Sequence, residues 1–347
     1  MGGRRRTVAL VLAVALVAAA AVVGVRWWRA EHRTELQRAL DLAPTDVERI
    51  SWTAWADVRR ELGTGADLDT LLDQGYDADL TSASALVGSA PLLADEFGWS
   101  PATAEWELFA QSEAGAAVVV RMPDDVDLDT LGDRLDALGY TRPTDDTGVW
   151  KGGDELLAQI AEGRGSTPLL QYVALDTDAH LLTLGDRASY LESVVEDRGD
   201  GDPDDDLAEV VEAVGEPLSA SVFRGDYACS ALAMSQADPS DQATADQLLA
   251  EAGEVNPLTA FAMAVRPDRD VLVAMSFEND DQARTNADSR AVLAAGPAPG
   301  QGGSFSDRFT LGDVTADGPV VTLPLKPVDG AYVLSDLSTG PVLFATC

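Results

Sequence analysis

The stretch WELFAQ–SEAG–AAVVVRM, Trp106 through Met122, decides how the chain is read. Two runs rich in aromatic and β-branched residues flank four turn residues ending in Gly115, which is the pattern of a β-hairpin. The following DLDTLGDRLDAL sets Leu128, Leu131, Leu135 and Leu138 at three- and four-residue spacing. That spacing gives one apolar helical face, and Gly139 marks its stop.

A hairpin followed by a helix recurs three more times. LLQYVAL, DTDA and HLLTLG (169–185) precede DRASYLESVVED. LTAFAMAV, RPDRD and VLVAMSF (258–277) precede ENDDQARTNADSRAVLAAG, and DRFTLGDV, TADG and PVVTLPL (307–325) precede a short AYVLSDL. One such unit cannot bury both its sheet face and its helix stripe. Copies set side by side share a sheet with helices mainly on one face, so the expected fold class is α+β. The copies align poorly residue by residue, and a plain succession of hairpins and helices explains them as well as duplication does.

Residues 35–100 read as mainly helical, with Val47–Trp52 as a strand. Thr53 is the expected cap of AWADVRREL, which Gly63 stops. A second helix is expected over Asp67–Gln74, stopped by Gly75, and a third from Thr81–Leu86, ended near Pro91. The Asp206–Gly215 stretch reads as a helix and Ser219–Phe223 as a strand. The acidic RGDGDPDDD (198–206) and GPAPGQGG (296–303) are loops. The expected organisation is an anchor and juxtamembrane segment over 1–34 and one domain over 35–347, with halves at 35–198 and 207–347.

The anchor reading rests on Thr7–Val25, 19 residues without a charge. As a helix these span roughly 28 Å, close to the hydrocarbon thickness of a bilayer. Arg4, Arg5 and Arg6 precede the segment, and Trp27 and Trp28 follow it at headgroup level. A cleaved signal peptide is the competing reading, with Ala18–Ala21 as its cleavage region, but Val22–Val25 carries the apolar run further than such a peptide needs. The basic N-terminus favours an inside position, so the expected location is the cell membrane, single-pass, with the C-terminal domain extracytoplasmic and the lipid bilayer as partner of residues 7–25.

The chain has 347 residues and a formal charge of −35. From Glu35 onward 18 basic residues face 58 acidic ones, a net −40. Such a domain repels a phosphate backbone, which argues against nucleic acid and leaves an envelope protein or a cation as partner. Two Cys and two His are too few for a Cys/His zinc cluster or an iron–sulfur site. In an exported domain the pair Cys229 and Cys347 reads as a disulfide, which ties the chain end back across 118 positions. The chain-entropy relation gives about 4–5 kcal/mol for so long a loop.

No catalytic motif is legible. G-x-S-x-G, H-E-x-x-H, the P-loop and a strand–helix G-x-G-x-x-G are all missing. His180 reads as a solvent-facing strand residue beside a turn. Asp200, Asp202 and Asp204 alternate as in an EF-hand loop, but Asp205 stands where Gly is needed and Val211 where Glu is needed. The expected site inventory is therefore no catalytic, cofactor or metal residue, only the Cys229–Cys347 pair. Trp52, Trp55, Trp99, Trp106 and Trp150 read as core residues, with a binding platform as the alternative.

The S-W-T-x-W-A-x-V-R run, Ser51–Arg59, together with G-D-Y-A-C-S (Gly225–Ser230) and F-A-T-C (Phe344–Cys347), resembles uncharacterised membrane-anchored or exported actinobacterial proteins. The resemblance implies an exported domain on a high-GC Gram-positive membrane and carries no activity. The composition, two Lys against 22 Arg, fits such a genome. The expected function is a non-catalytic binding or scaffolding module of the cell envelope. An exported hydrolase with a carboxylate or Ser site and a cation- or ligand-binding sensor are the alternatives.

Overall fold

The computed structural model describes residues 33–145, 148–198 and 204–347. The apolar segment 7–25 lies outside the described residues, as do Asp200 and Asp202 of the acidic loop. Among the described residues no helix is long and apolar enough to cross a membrane.

One antiparallel sheet organises everything else. Its strands are β1 (Arg49–Thr53), β2 (Trp106–Gln111), β3 (Ala116–Arg121), β4 (Val149–Lys151), β5 (Tyr172–Asp176) and β6 (Leu181–Gly185), then β7 (Ser219–Arg224), β8 (Ala260–Val265), β9 (Val271–Ser276), β10 (Phe309–Leu311), β11 (Thr315–Asp317) and β12 (Val320–Pro327). The order across the sheet is β10-β12-β9-β8-β7-β1-β2-β3-β6-β5-β4, with β11 also on β12. The hairpins read from sequence are β2–β3, β5–β6 and β8–β9. In the last copy the first run holds only the short β10, the TADG stretch read as a turn forms β11, and both pair with successive parts of the long β12. Strands β1 to β6 precede residue 198 and β7 to β12 follow residue 207. They meet where β1 pairs antiparallel with β7, Ser51 opposite Ser221. Each of these two strands leads through helices into a hairpin, so the junction has approximate two-fold character.

Alternation along the strands gives the sheet two buried faces. On one, Ile50, Trp52, Leu108, Ala220, Val222, Ala260, Ala262, Ala264 and Ala274 form a core with the Asp205–Val214 helix and the short Glu35–Leu40 helix. Alanines at this spacing let the Asp205–Val214 helix lie close on β7, β8 and β9. The Ala188–Glu196 helix covers β3 to β6 on the same side through Tyr190, Leu191 and Val194. The larger core lies on the other face, where Val118, Val120, Phe261, Met263, Val273 and Leu323 meet helices that include Trp55–Leu62, Leu128–Leu138, Asp280–Ala294 and Val333–Leu337. Leu128, Leu131 and Leu135 face inward as their spacing predicts.

Local readings differ at several points. Thr53 ends β1 and Ala54 precedes the Trp55–Leu62 helix without a side-chain cap; Gly63 closes that helix at φ 68°. The next helix, Leu68–Asp77, runs through Gly75. A Cβ at Gly75 would stand 2.5 Å from Thr81 Cγ2, so the glycine serves close packing and does not act as a stop. Thr81–Leu86 is irregular, and Pro91 stands inside the first turn of a short helix, Ala90–Leu92. There its missing N–H costs nothing. His180 is a turn residue at φ 49°, and β6 starts after it.

The alanine face makes a direct prediction. Ala262→Leu should destabilise the protein by about 1–3 kcal/mol in urea unfolding, because the added side chain must displace the Asp205–Val214 helix. An unchanged midpoint would show that the helix does not sit tightly on β8.

Candidate functional site

The centre of the sheet departs from its own apolar pattern. On the larger face Glu107, Thr53 and Ser219 lie side by side on β2, β1 and β7, and Phe109, Ser51 and Ser221 form the next row. Glu107, Thr53, Ser51, Ser219 and Ser221 are all buried. The hydroxyls of Thr53, Ser219 and Ser221 have no hydrogen-bond partner among the described residues. Val265 and Met263 continue the same two rows on β8, so the polar patch is confined to the seam between the two halves.

Glu107 is the one acid of this patch and is fully buried. Its Oε2 accepts from Trp55 Nε1 at 2.9 Å and Ser84 Oγ at 2.8 Å, and its Oε1 accepts from Ala85 N at 2.6 Å. Loss of hydration outweighs these donors and pushes the carboxyl up to about 7. That value suits general acid–base chemistry. Full burial and three protein donors instead make Glu107 a clamp between β2, the Trp55–Leu62 helix and the Asp79–Leu86 segment. At the other end of that segment Asp79, at φ 56°, accepts from Leu334 N at 2.7 Å and Ser335 N at 3.2 Å. Burial raises the Asp79 carboxyl as well.

Among the described residues several grooves open to solvent. One, of about 480 Å³, lies where the Glu35–Leu40 helix begins. Trp52 and Trp106 back its wall, ring centres 5.2 Å apart, with only 2% and 6% of their surface exposed. Their indole N–H groups donate to Pro217 O and Glu35 Oε2, each at 3.2 Å, which fixes both rings. Its rim carries the ion pairs Arg38–Glu35, Arg60–Asp57 and Arg121–Asp124. A second groove, of about 1000 Å³, runs along edge strand β4. There Lys151 pairs with Glu192 at 2.7 Å and Arg198 with Asp176 at 3.0 Å.

The Cys229–Cys347 disulfide is present, with Cα atoms 5.3 Å apart. A second device holds the same chain end. Arg290 is fully buried and donates to the carbonyls of Phe344 (3.0 Å), Thr346 and Asn256 (2.8 Å), and to Asn286 Oδ1 at 3.3 Å. Burial without a carboxylate partner lowers its pKa to about 9.

The sequence candidates fall in separate places. All five tryptophans of the first half are buried, with at most 6% of their surface exposed. His180 is half-buried and its Nδ1 has no partner. Asp204 caps the Asp205–Val214 helix through Asp206 N and pairs with Arg224 at 3.0 Å. Among the described residues no group of three His, Cys, Asp or Glu side chains is placed to hold a metal ion. Sequence reading missed Glu107, Asp79 and Arg290. Only Glu107 left a signal: in WELFAQ it falls on the strand face shared with Phe109, an inward position for a charge.

No protein-family model and no curated protein matches the chain. Among solved structures, crystal form I of TP0453 is similar at 10% identity and a TM-score of 0.37, over 86% of this chain and 96% of that chain. Crystal form III of TP0453 is similar at 7% identity and a TM-score of 0.40, over 86% of this chain and 97% of that chain.

Glu107 has a measurable signature. Its folded-state pKa is raised, so its stabilising contribution is complete below the unfolded value near 4.5 and is lost as pH rises to about 7. Unfolding free energies measured from pH 4 to 8 should fall across that window for the native protein relative to Glu107→Gln. Parallel curves for the two proteins would contradict the assignment.

Proposed function

We propose that the chain is a membrane-anchored, extracytoplasmic binding module of the cell envelope. Residues 7–25 would hold it in the bilayer, and the Trp52–Trp106 groove would be its recognition surface. The observation that carries the reading is this groove. It is concave, it is backed by two buried tryptophans that hydrogen bonds lock in place, and its accessible rim carries arginines engaged in ion pairs. A rigid wall with paired charges at its rim suits recognition of a partner surface better than proton transfer. Glu35 lies on the groove wall only ten residues after Val25, which would keep a partner close to the membrane. The excess of 58 acids over 18 bases beyond residue 34 favours basic or neutral partners and slows the approach of anionic ones. The resemblance of Ser51–Arg59 to exported actinobacterial proteins supports the same location.

Two measurements test this. Carbonate-washed membranes should retain the full-length chain; release of a protein beginning near residue 22 would remove the anchor. A photo-crosslinking residue at Arg60 or Arg121 should give a discrete adduct in intact envelopes, while one at Thr310, on the far edge of the sheet, should not. Equal labelling at all three positions, or none, would contradict a groove-specific partner.

A further inference from the structure

The tail, residues 341–346, is seated by contacts that do not involve sulfur. Val342 N donates to Leu232 O at 3.0 Å, and Met234 N donates to Thr346 Oγ1 at 3.2 Å. Leu232 and Met234 follow the Gly225–Ala231 helix, which carries Cys229. Gln301 Nε2 donates to Pro341 O at 3.1 Å. Val342, Leu343, Phe344 and Ala345 are fully buried, and the Phe344 ring packs edge-on against Phe305 and Phe309, with centres 5.0 and 6.3 Å apart. Arg290 donates to the carbonyls of Phe344 and Thr346 on the tail and of Asn256 on the segment before β8. Cys347, next to Thr346, is exposed, and Cys229 is half-buried.

We propose that Cys229–Cys347 is a thiol–disulfide exchange site open to dithiols, and that the seated tail keeps Cys347 opposite Cys229 in the reduced protein. A thiolate of the dithiol attacks Sγ of Cys347, the exposed partner. The S–S bond breaks, and Cys229 leaves as a thiolate that takes a proton from water. The second thiolate of the reductant then attacks its own partner sulfur in the mixed disulfide and releases Cys347. Two electrons and two protons pass from the dithiol to the cysteine pair, and an oxidised small disulfide reverses the sequence.

The bond closes a separation of 118 positions, so in an unfolded chain the two thiols rarely meet. In the folded chain their Cα atoms stand 5.3 Å apart, set by Leu232, Met234 and Arg290 without help from the bond. Thiols held face to face have a far higher effective concentration than thiols joined by a flexible loop, which drives the bond to re-form. Reduction therefore leaves the domain folded and the pair ready to close. Arg290 is the positioning residue of this site. Its planar fork spans the tail carbonyls and the Asn256 carbonyl at once, which neither Lys nor Met can do. Without it the buried carbonyls of Phe344 and Thr346 lose that donor and the seat loosens.

The full chain treated with excess dithiothreitol at pH 8 should become alkylated at both cysteines without denaturant. Hydrogen exchange of peptides covering 342–346 should then rise less than about threefold, and the same should hold for Cys347→Ser, which cannot form the bond. Equilibration with reduced and oxidised glutathione should give Arg290→Met a constant for closing the pair at least about tenfold below that of the native protein, with exchange in β8 and β9 unchanged. Phe344→Ala, which leaves Arg290 in place, should lower the same constant. Alkylation only after unfolding would close the site to exchange. A tail that loses its protection on reduction or in Cys347→Ser would show that the bond seats the tail. Equal constants for the native protein and both tail-seat variants would remove the seat from the mechanism. Each of these three outcomes overturns the proposal.

Discussion

The pairing of β1 with β7 is the constraint on which the rest of the architecture depends. Without it there are two smaller sheets, each with an open edge; with it there is one sheet with a continuous core on either side. The pair is central, so it has no solvent to satisfy its side chains, yet it carries Ser51, Thr53, Ser219 and Ser221 on one face. On the opposite face the same strands carry Ile50, Trp52, Ala220 and Val222. Small hydroxyl residues allow close approach of whatever crosses the junction, at the cost of buried polar groups. The two sides of the junction thus differ: one seals the halves by apolar burial, and the other carries a buried polar patch beside Glu107.

Three buried ionisable side chains fasten long-range contacts around this frame. Glu107 ties β2 to the Asp79–Leu86 segment, Asp79 ties that segment to a helix 255 positions later, and Arg290 ties the chain end to the Asp280–Ala294 helix. Each is surrounded by neutral donors or acceptors and not by an opposite charge. Removing one partner of such a group strands the other, so these contacts specify the arrangement more than they add net stability. The disulfide acts differently, by restricting the unfolded chain. With Arg290 and the fully buried Leu343, Phe344 and Ala345 beside it, the C-terminus is fixed by independent means.

How far the sequence foretold this depends on the range of the determining interactions. The hairpins β2–β3, β5–β6 and β8–β9 were legible because alternation and turn residues are local. The stripe of Leu128, Leu131 and Leu135 was legible for the same reason. The Thr81–Leu86 stretch was misread as a helix start, since its irregular path is set by the Glu107 carboxyl on β2 and, through Asp79, by a helix near the C-terminus. Gly75 was misread as a stop because its purpose is contact with Thr81, outside its own helix. Strand β4, only three residues long, has no pattern of its own and exists through its pairing with β5. The Cys229–Cys347 pair could be named from count and compartment, while Arg290 could not, because an arginine in DSRAVLA reads as an exposed helix residue until the tail is seen to fold over it.

Differential scanning calorimetry of the purified protein tests most directly whether the β1–β7 junction makes the two halves one cooperative body. The account predicts a single transition whose calorimetric and van't Hoff enthalpies agree, separating into two when Ser221→Pro breaks the central ladder. Two resolved transitions in the native protein, or an unsplit transition in the Ser221→Pro variant, would contradict it.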